Sequence, residues 1–203
     1  MKNYFLVIPL VILIIVGISA KKNETLSKNR ETKIIYVAAA NSISLSKSQA
    51  NYICDGTNDE VVIQNAINEN NGKKVVLLEG VYNKDNAEGI SIQSATEIEL
   101  DGAIINLNKL DTDACIFTNS DHTRGNSNIK IWGSGILNGN RHLSTTGNHY
   151  AVNFENVKKS LVELYIDNFR TLEARLYQSD CVVRNLRFYN TPKKEEKIMQ
   201  FTE

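Results

Sequence analysis

The spacing of apolar and polar positions divides the chain into stretches of different character. Tyr4 to Val16 is an unbroken apolar run, preceded by Lys2 and followed by the small residues Gly17, Ser19 and Ala20. A short basic head, an apolar middle and a small-residue exit predict an export signal over residues 1–20. The run also approaches the length that spans a bilayer. An uncleaved anchor helix with an extracellular domain is therefore the other reading, and the only route to a membrane. Residues 21–33 are polar and charged without periodicity and predict a solvated linker.

Beyond the linker the pattern is that of strands, with one exception. Ile34 to Ala38 and Lys74 to Tyr82 are apolar and rich in β-branched residues. Between them, Asp59 to Asn70 has helical spacing. Val62, Ile63, Ala66 and Ile67 fall on one face, Asp59 stands as an amino-terminal cap, and Asn70-Asn71-Gly72 stops the helix.

Downstream no further helix is predicted, and short alternating strands recur instead. Ile98, Leu100 and Gly102 align with Ile129, Ile131 and Gly133 at a spacing of 31 (129 − 98). Leu164-Tyr165-Ile166 aligns with Leu186-Arg187-Phe188 at 22 (186 − 164). Strand units repeating every ~20–50 residues predict a solenoid, whose turns bury their inward faces only against one another. A β-sandwich would place turns every ~8–12 residues and show hairpin signals, of which Asn138-Gly139 is one. The expected domain runs over 34–192, followed by a charged tail at 193–203.

Alternation within the repeat assigns faces. If Val152, Phe154, Ala174 and Leu176 point inward, then Asn153, Glu155, Glu173, Arg175 and Tyr177 share an outer face. Arginine pairs with carboxylates and tyrosine stacks on flat faces, so these five form a candidate binding face. Arg141, His142 and His149 fall on the preceding loop and read as surface residues rather than acids or bases.

Composition narrows the partners. With 23 Lys+Arg against 23 Asp+Glu the net charge is zero, which argues against a nucleic-acid partner. The chain holds 25 Asn, a residue that tolerates left-handed backbone, so many tight turns are expected. Cys54, Cys115 and Cys181 are widely spaced and form no zinc pattern. They read as separately buried small hydrophobes, the alternative being one disulfide with a thiol left over. Asp111 with Asp113, and Asp55 with Asp59, have the chemistry to touch calcium, but read first as turn and cap residues. No metal ligand and no catalytic residue is assigned.

Asn51 to Tyr82, with its Asp55-Gly56-Thr57-Asn58-Asp59 turn before a helix and a strand ending in Gly and Tyr, resembles the opening of right-handed parallel β-helices of the pectate-lyase superfamily. Ile129 to His142, IKIWGSGILNGNRH, is similar to the coils of polygalacturonase-like enzymes and tailspikes, and Tyr150 to Asn190 continues the pattern. The resemblance implies an all-β solenoid capped by the short helix, exported, and associated with binding or degradation of an acidic, pectin-like polysaccharide. It also implies that the strands bearing Asn153, Glu155, Glu173, Arg175 and Tyr177 border the sugar-binding cleft, which makes these five the candidate substrate-binding residues. The family's Asn-Thr-Asp, Asp-Asp, Gly-His-Gly and Arg-x-Lys motifs do not occur. Asn190-Thr191-Pro192 stands where the first is expected, so the resemblance implies coils that stop before the chemistry. An open last coil would offer a strand edge for self-association. The alternative function is a structural or adhesive surface module of tailspike or cell-envelope type.

Overall fold

Parallel pairing between strands distant in sequence organises the chain. The computed structural model describes residues 33–108, 110–189 and 199–202. In chain order the elements are β1 (Ile35–Ala38), α1 (Ser44–Gln49), β2 (Tyr52–Ile53), α2 (Asp59–Glu69), β3 (Lys74–Leu77), β4 (Gly80–Lys84) and β5 (Ile90–Ile92). They continue with β6 (Glu97–Leu100), β7 (Ala103–Leu107), β8 (Ala114–Asn119), β9 (Lys130–Asn138), β10 (His149–Glu155), β11 (Ser160–Asp167), β12 (Leu172–Tyr177), β13 (Cys181–Tyr189) and β14 (Met199–Thr202). The expected leader, and most of the linker, lie outside the described residues. No helix among the described ones is long and apolar enough to cross a membrane.

Two sheets hold these strands. The first runs β13-β11-β9-β6-β3-β1-β2, with β7 beside β9 and β4 beside β7; the second runs β14-β12-β10-β8-β5. From β8 to β14 the chain alternates between the two sheets, strand by strand. All described pairs are parallel, which excludes the antiparallel sandwich, since parallel neighbours need a long crossover. Pairing of β14 with β12 carries the second sheet into the stretch whose charge pattern predicts a tail.

Register turns alternation into columns. Val75, Ile98, Ile131 and Val162 stand side by side across β3, β6, β9 and β11. Ile90, Phe117, Val152 and Ala174 do the same across β5, β8, β10 and β12. Both columns are at most 2% exposed and belong to one core cluster. α2 lays Ile63, Ala66 and Ile67 on the same cluster, as its spacing predicts.

Several local expectations are corrected. The first repeat is two residues out of register: Ile98 pairs with Ile131, not Ile129, and Leu100 with Gly133, a spacing of 33 (131 − 98). Alternation has a period of two, so a slip of two preserves every buried position and the pattern cannot detect it. The second repeat stands as aligned, Ile166 beside Phe188 at 22 (188 − 166). The segment Lys74–Tyr82 is two strands, broken at Leu78-Glu79.

Asp59 does not cap α2. Asn58, in left-handed conformation with φ 47°, is the cap residue. The Asp59 carboxylate instead accepts from Gly56 N (2.9 Å) and Asn83 N (2.8 Å), tying the preceding turn to β4. α1 has no apolar periodicity to announce it and buries no residue. It is held from outside by the Glu79 carboxylate, which accepts from Ile43 N (3.1 Å) and Ser46 Oγ (2.9 Å).

β9 bends at Gly133-Ser134-Gly135 to follow both β6 and β7. At Gly135 a Cβ would stand 2.4 Å from Ala103 O and 2.5 Å from Leu100 Cβ. Gly135→Ala is therefore expected to cost about 1–3 kcal/mol, against less than about 1 kcal/mol for the neighbouring exposed Ser134→Ala. Denaturant unfolding of the two variants checks this order; a reversal would mean that β9 does not press on the bend between β6 and β7.

Candidate functional site

The outer face of the second sheet carries a depression of about 690 Å³, lined by β8, β10, β12 and the loops before β5 and after β8. Its floor is a consequence of register. Asn153 lies between Thr118 and Arg175, and Glu155 beside Tyr177, while Phe154 and Leu176 fill the interior beneath. Arg175 Nη1 donates to Asn153 Oδ1 (3.0 Å) and to Glu155 Oε1 (2.8 Å), and its guanidinium lies 5.8 Å from the Tyr177 ring centroid. The structure thus gathers Asn153, Glu155, Arg175 and Tyr177 as alternation predicts. Glu173 lies in β12, and its side chain is outside the described residues.

His122, which the sequence pattern does not single out, reaches the same place from the loop after β8. Its Nε2 is 2.9 Å from Thr118 Oγ1, and that hydroxyl already donates to Asn153 O (3.0 Å). A hydroxyl has one proton to give, so Nε2 is the donor to Thr118. The other ring nitrogen, Nδ1, lies 3.7 Å from Glu155 Oε2. Glu155 is therefore addressed on one oxygen by Arg175 and on the other by His122.

Asparagines hold this loop in place. Asn119 is 2% exposed. Its amide nitrogen donates to Glu155 O and Asp121 O (2.9 Å each), and its Oδ1 accepts from Glu155 N (2.8 Å). Asn126 Oδ1 accepts from Asp121 N (2.9 Å), and Asn156 Nδ2 donates to His122 O (2.7 Å). Asp121 Oδ1 accepts from Thr123 N (3.0 Å) and Arg124 N (2.8 Å). The backbone N–H of Arg124, before any other contact, holds the Asp121 carboxyl below the usual range.

The remaining candidates sort by environment. Arg141 and His142 belong to a single 3-10 turn, Arg141–Leu143, and His142 is exposed. His149 is no surface residue: it starts β10 at an inward position, is wholly buried, and donates Nε2–H to Thr112 O (3.1 Å). Asp111 Oδ1 accepts from Thr145 N (2.7 Å), Asp113 Oδ1 from Asn148 N (2.8 Å) and Asp55 Oδ1 from Thr57 N (2.9 Å), as loop carboxylates do. No group of three or more His, Cys, Asp or Glu among the described residues is placed to hold a metal. All three cysteines are free thiols. Cys115 lines the depression, and burial pushes its thiol up to about 11. Tyr150, also on the lining, has its phenol raised chiefly by burial, which keeps it a hydrogen-bond donor.

A second depression, about 660 Å³, lies on the outer face of the first sheet beside Trp132 and Ser134. Here the aromatic ring is already engaged. Lys74 and Lys130 amines lie 4.7 and 4.3 Å from its centroid, and Nε1 donates to Glu97 Oε1 (2.9 Å). The two amines are in turn ion-paired to Glu99 (2.5 Å) and Glu97 (3.4 Å). The groove at Arg175 is the better candidate because it brings Tyr150, His122 and Arg175 together from β10, from the loop after β8 and from β12. Compared with known protein families, curated proteins and solved structures, the chain matches none of them.

The groove's loops carry a pH dependence. Backbone N–H donors depress the carboxyls of Asp113 and Asp121. A depressed carboxyl stabilises the fold fully above its unfolded value near pH 4, and that contribution is lost as pH falls. Thermal unfolding is expected to come earlier as pH drops from about 5 to about 3, with a shallower slope in Asp113→Asn and Asp121→Asn. An unchanged slope would remove these carboxylates as loop anchors.

Proposed function

We propose that the chain is an exported right-handed parallel β-helix of the pectate-lyase-superfamily kind that binds an acidic polysaccharide along the groove at Arg175. The fold part is supported by the alternation of strands between two parallel sheets from β8 to β14 around one core, and by the right-handedness of nearly all parallel crossovers. Export is supported by the composition of residues 1–20.

The observation that carries the binding reading is the guanidinium of Arg175, fixed by Asn153 and Glu155 at the floor of an open groove. Both Nη1 hydrogens serve to aim the group. The fork's other donors, on Nη2 and Nε, match a sugar carboxylate. Tyr150 lines the groove and the Tyr177 ring lies 5.8 Å from the guanidinium, both side chains of the kind that stack on pyranoses. The reading is one of binding, which an aimed guanidinium can perform by itself.

The test is binding of polygalacturonate and of a neutral glucan to wild type and Arg175→Ala. A loss of about tenfold or more is expected for polygalacturonate alone, since a charge-assisted hydrogen bond is removed. Equal binding by the variant would clear the groove of this role. Absence of binding to either polymer would favour the surface-module reading, and release of unsaturated or reducing ends would make the protein an enzyme.

A further inference from the structure

Resting on that reading of the groove, we propose that His122 is its specificity-determining residue. As an imidazolium it shares Glu155 with Arg175 and turns the site toward a uronate-bearing chain; as a neutral ring it does not. The geometry sets the two states apart. Nε2 must carry a proton in both, because the only hydroxyl proton of Thr118 goes to Asn153 O. The variable proton is therefore on Nδ1, which faces Glu155 Oε2 at 3.7 Å. Without it, a nitrogen lone pair looks at a carboxylate. With it, the two form a charged pair across the end of β10.

The charge consequence follows residue by residue. Arg175 and Glu155 cancel when His122 is neutral, since their charges are 2.8 Å apart. Protonation of His122 leaves the trio with one positive charge in excess. Among the described residues, Asp121 and Arg124 stand on its own loop, and Asp113 and Glu88 line the groove. Counted with the trio, these groups leave the groove two negative charges in excess when His122 is neutral and one when it is charged, so protonation lessens the repulsion of a polyanion. Among side chains of these types, histidine is the one that ordinarily changes charge between about pH 5 and 8. The ring is 43% exposed, and its reach into the groove is fixed by the loop bonds from Asn119, Asn126 and Asn156.

The experiment is calorimetric titration of an oligogalacturonate, and of a neutral galactan oligomer of equal length, at constant ionic strength. Wild type, His122→Gln and His142→Gln are compared at about pH 5.5 and pH 7.5, on either side of the histidine range. Gln preserves an N–H donor for Thr118 and so keeps the loop. Wild type and His142→Gln are expected to bind the oligogalacturonate about two- to fivefold more tightly at the lower pH, the effect of one screened surface charge. His122→Gln is expected to show the weaker affinity at both, and the neutral oligomer no pH dependence in any of them. Binding that is equally strong at both pH values, or that keeps its pH dependence in His122→Gln, overturns this inference while leaving the groove intact. Failure of wild type to bind either oligomer at either pH overturns both.

Discussion

Register between parallel strands is the constraint on which everything else in this protein rests. A strand with a neighbour on each side has its backbone donors and acceptors satisfied by those two. The inward side chains stack on their counterparts, as Ile90, Phe117, Val152 and Ala174 do. Full burial of each such side chain is worth about 1.5–3 kcal/mol, and a shift of one residue would turn the column outward and forfeit it. The same register dictates what stands outside. Neighbouring strands lie about 4.8 Å apart, so Thr118, Asn153 and Arg175 must be neighbours once the core is in place. The groove is the outer imprint of the core.

What the core cannot do is fix the loops, and here asparagine takes over from the backbone ladder. Five of the eight non-glycine residues with positive φ among the described residues are Asn: Asn58, Asn128, Asn140, Asn156 and Asn168. Others act as substitute peptide groups. Asn119 both donates to and accepts from the backbone of Glu155, much as an added strand would. Through this one buried amide the loop bearing His122 is referred to the end of β10, where the acid that His122 faces is located.

Much of this was legible in the sequence. The alternation Val152-Asn153-Phe154-Glu155 and Ala174-Arg175-Leu176-Tyr177 assigned inner and outer faces correctly, because burial enforces a period of two. The 22-residue spacing that aligns Ile166 with Phe188 also holds between Val152 and Ala174. Other features left no trace in that pattern. His122 sits in a loop, where no periodicity constrains direction, and only the pairing of β8 with β10 brings it to Glu155. His149 reads as a loop residue in a polar stretch, yet one carbonyl, of Thr112, accommodates it in the interior. The two-residue slip between β6 and β9 was invisible for the reason that makes strands readable at all. Phase is encoded, but absolute position is left to close contacts such as Gly133 against Leu100.

The bend within the first sheet shows how this architecture tolerates change. The same two register levels are joined by five steps in Val76–Val81 and Glu99–Ile104, four in Trp132–Ile136, two in Glu163–Tyr165 and three in Arg184–Arg187. On both sides of the corner the ladders remain aligned. The corner thus works as an expansion joint: residues can be gained or lost there while the interior stays as it was. Relief on the outside is what varies, and the hollow beside Ser134 opens where a four-step corner adjoins a two-step one. A lineage carrying such joints can reshape its exterior by small insertions, without renegotiating the packing that holds it together.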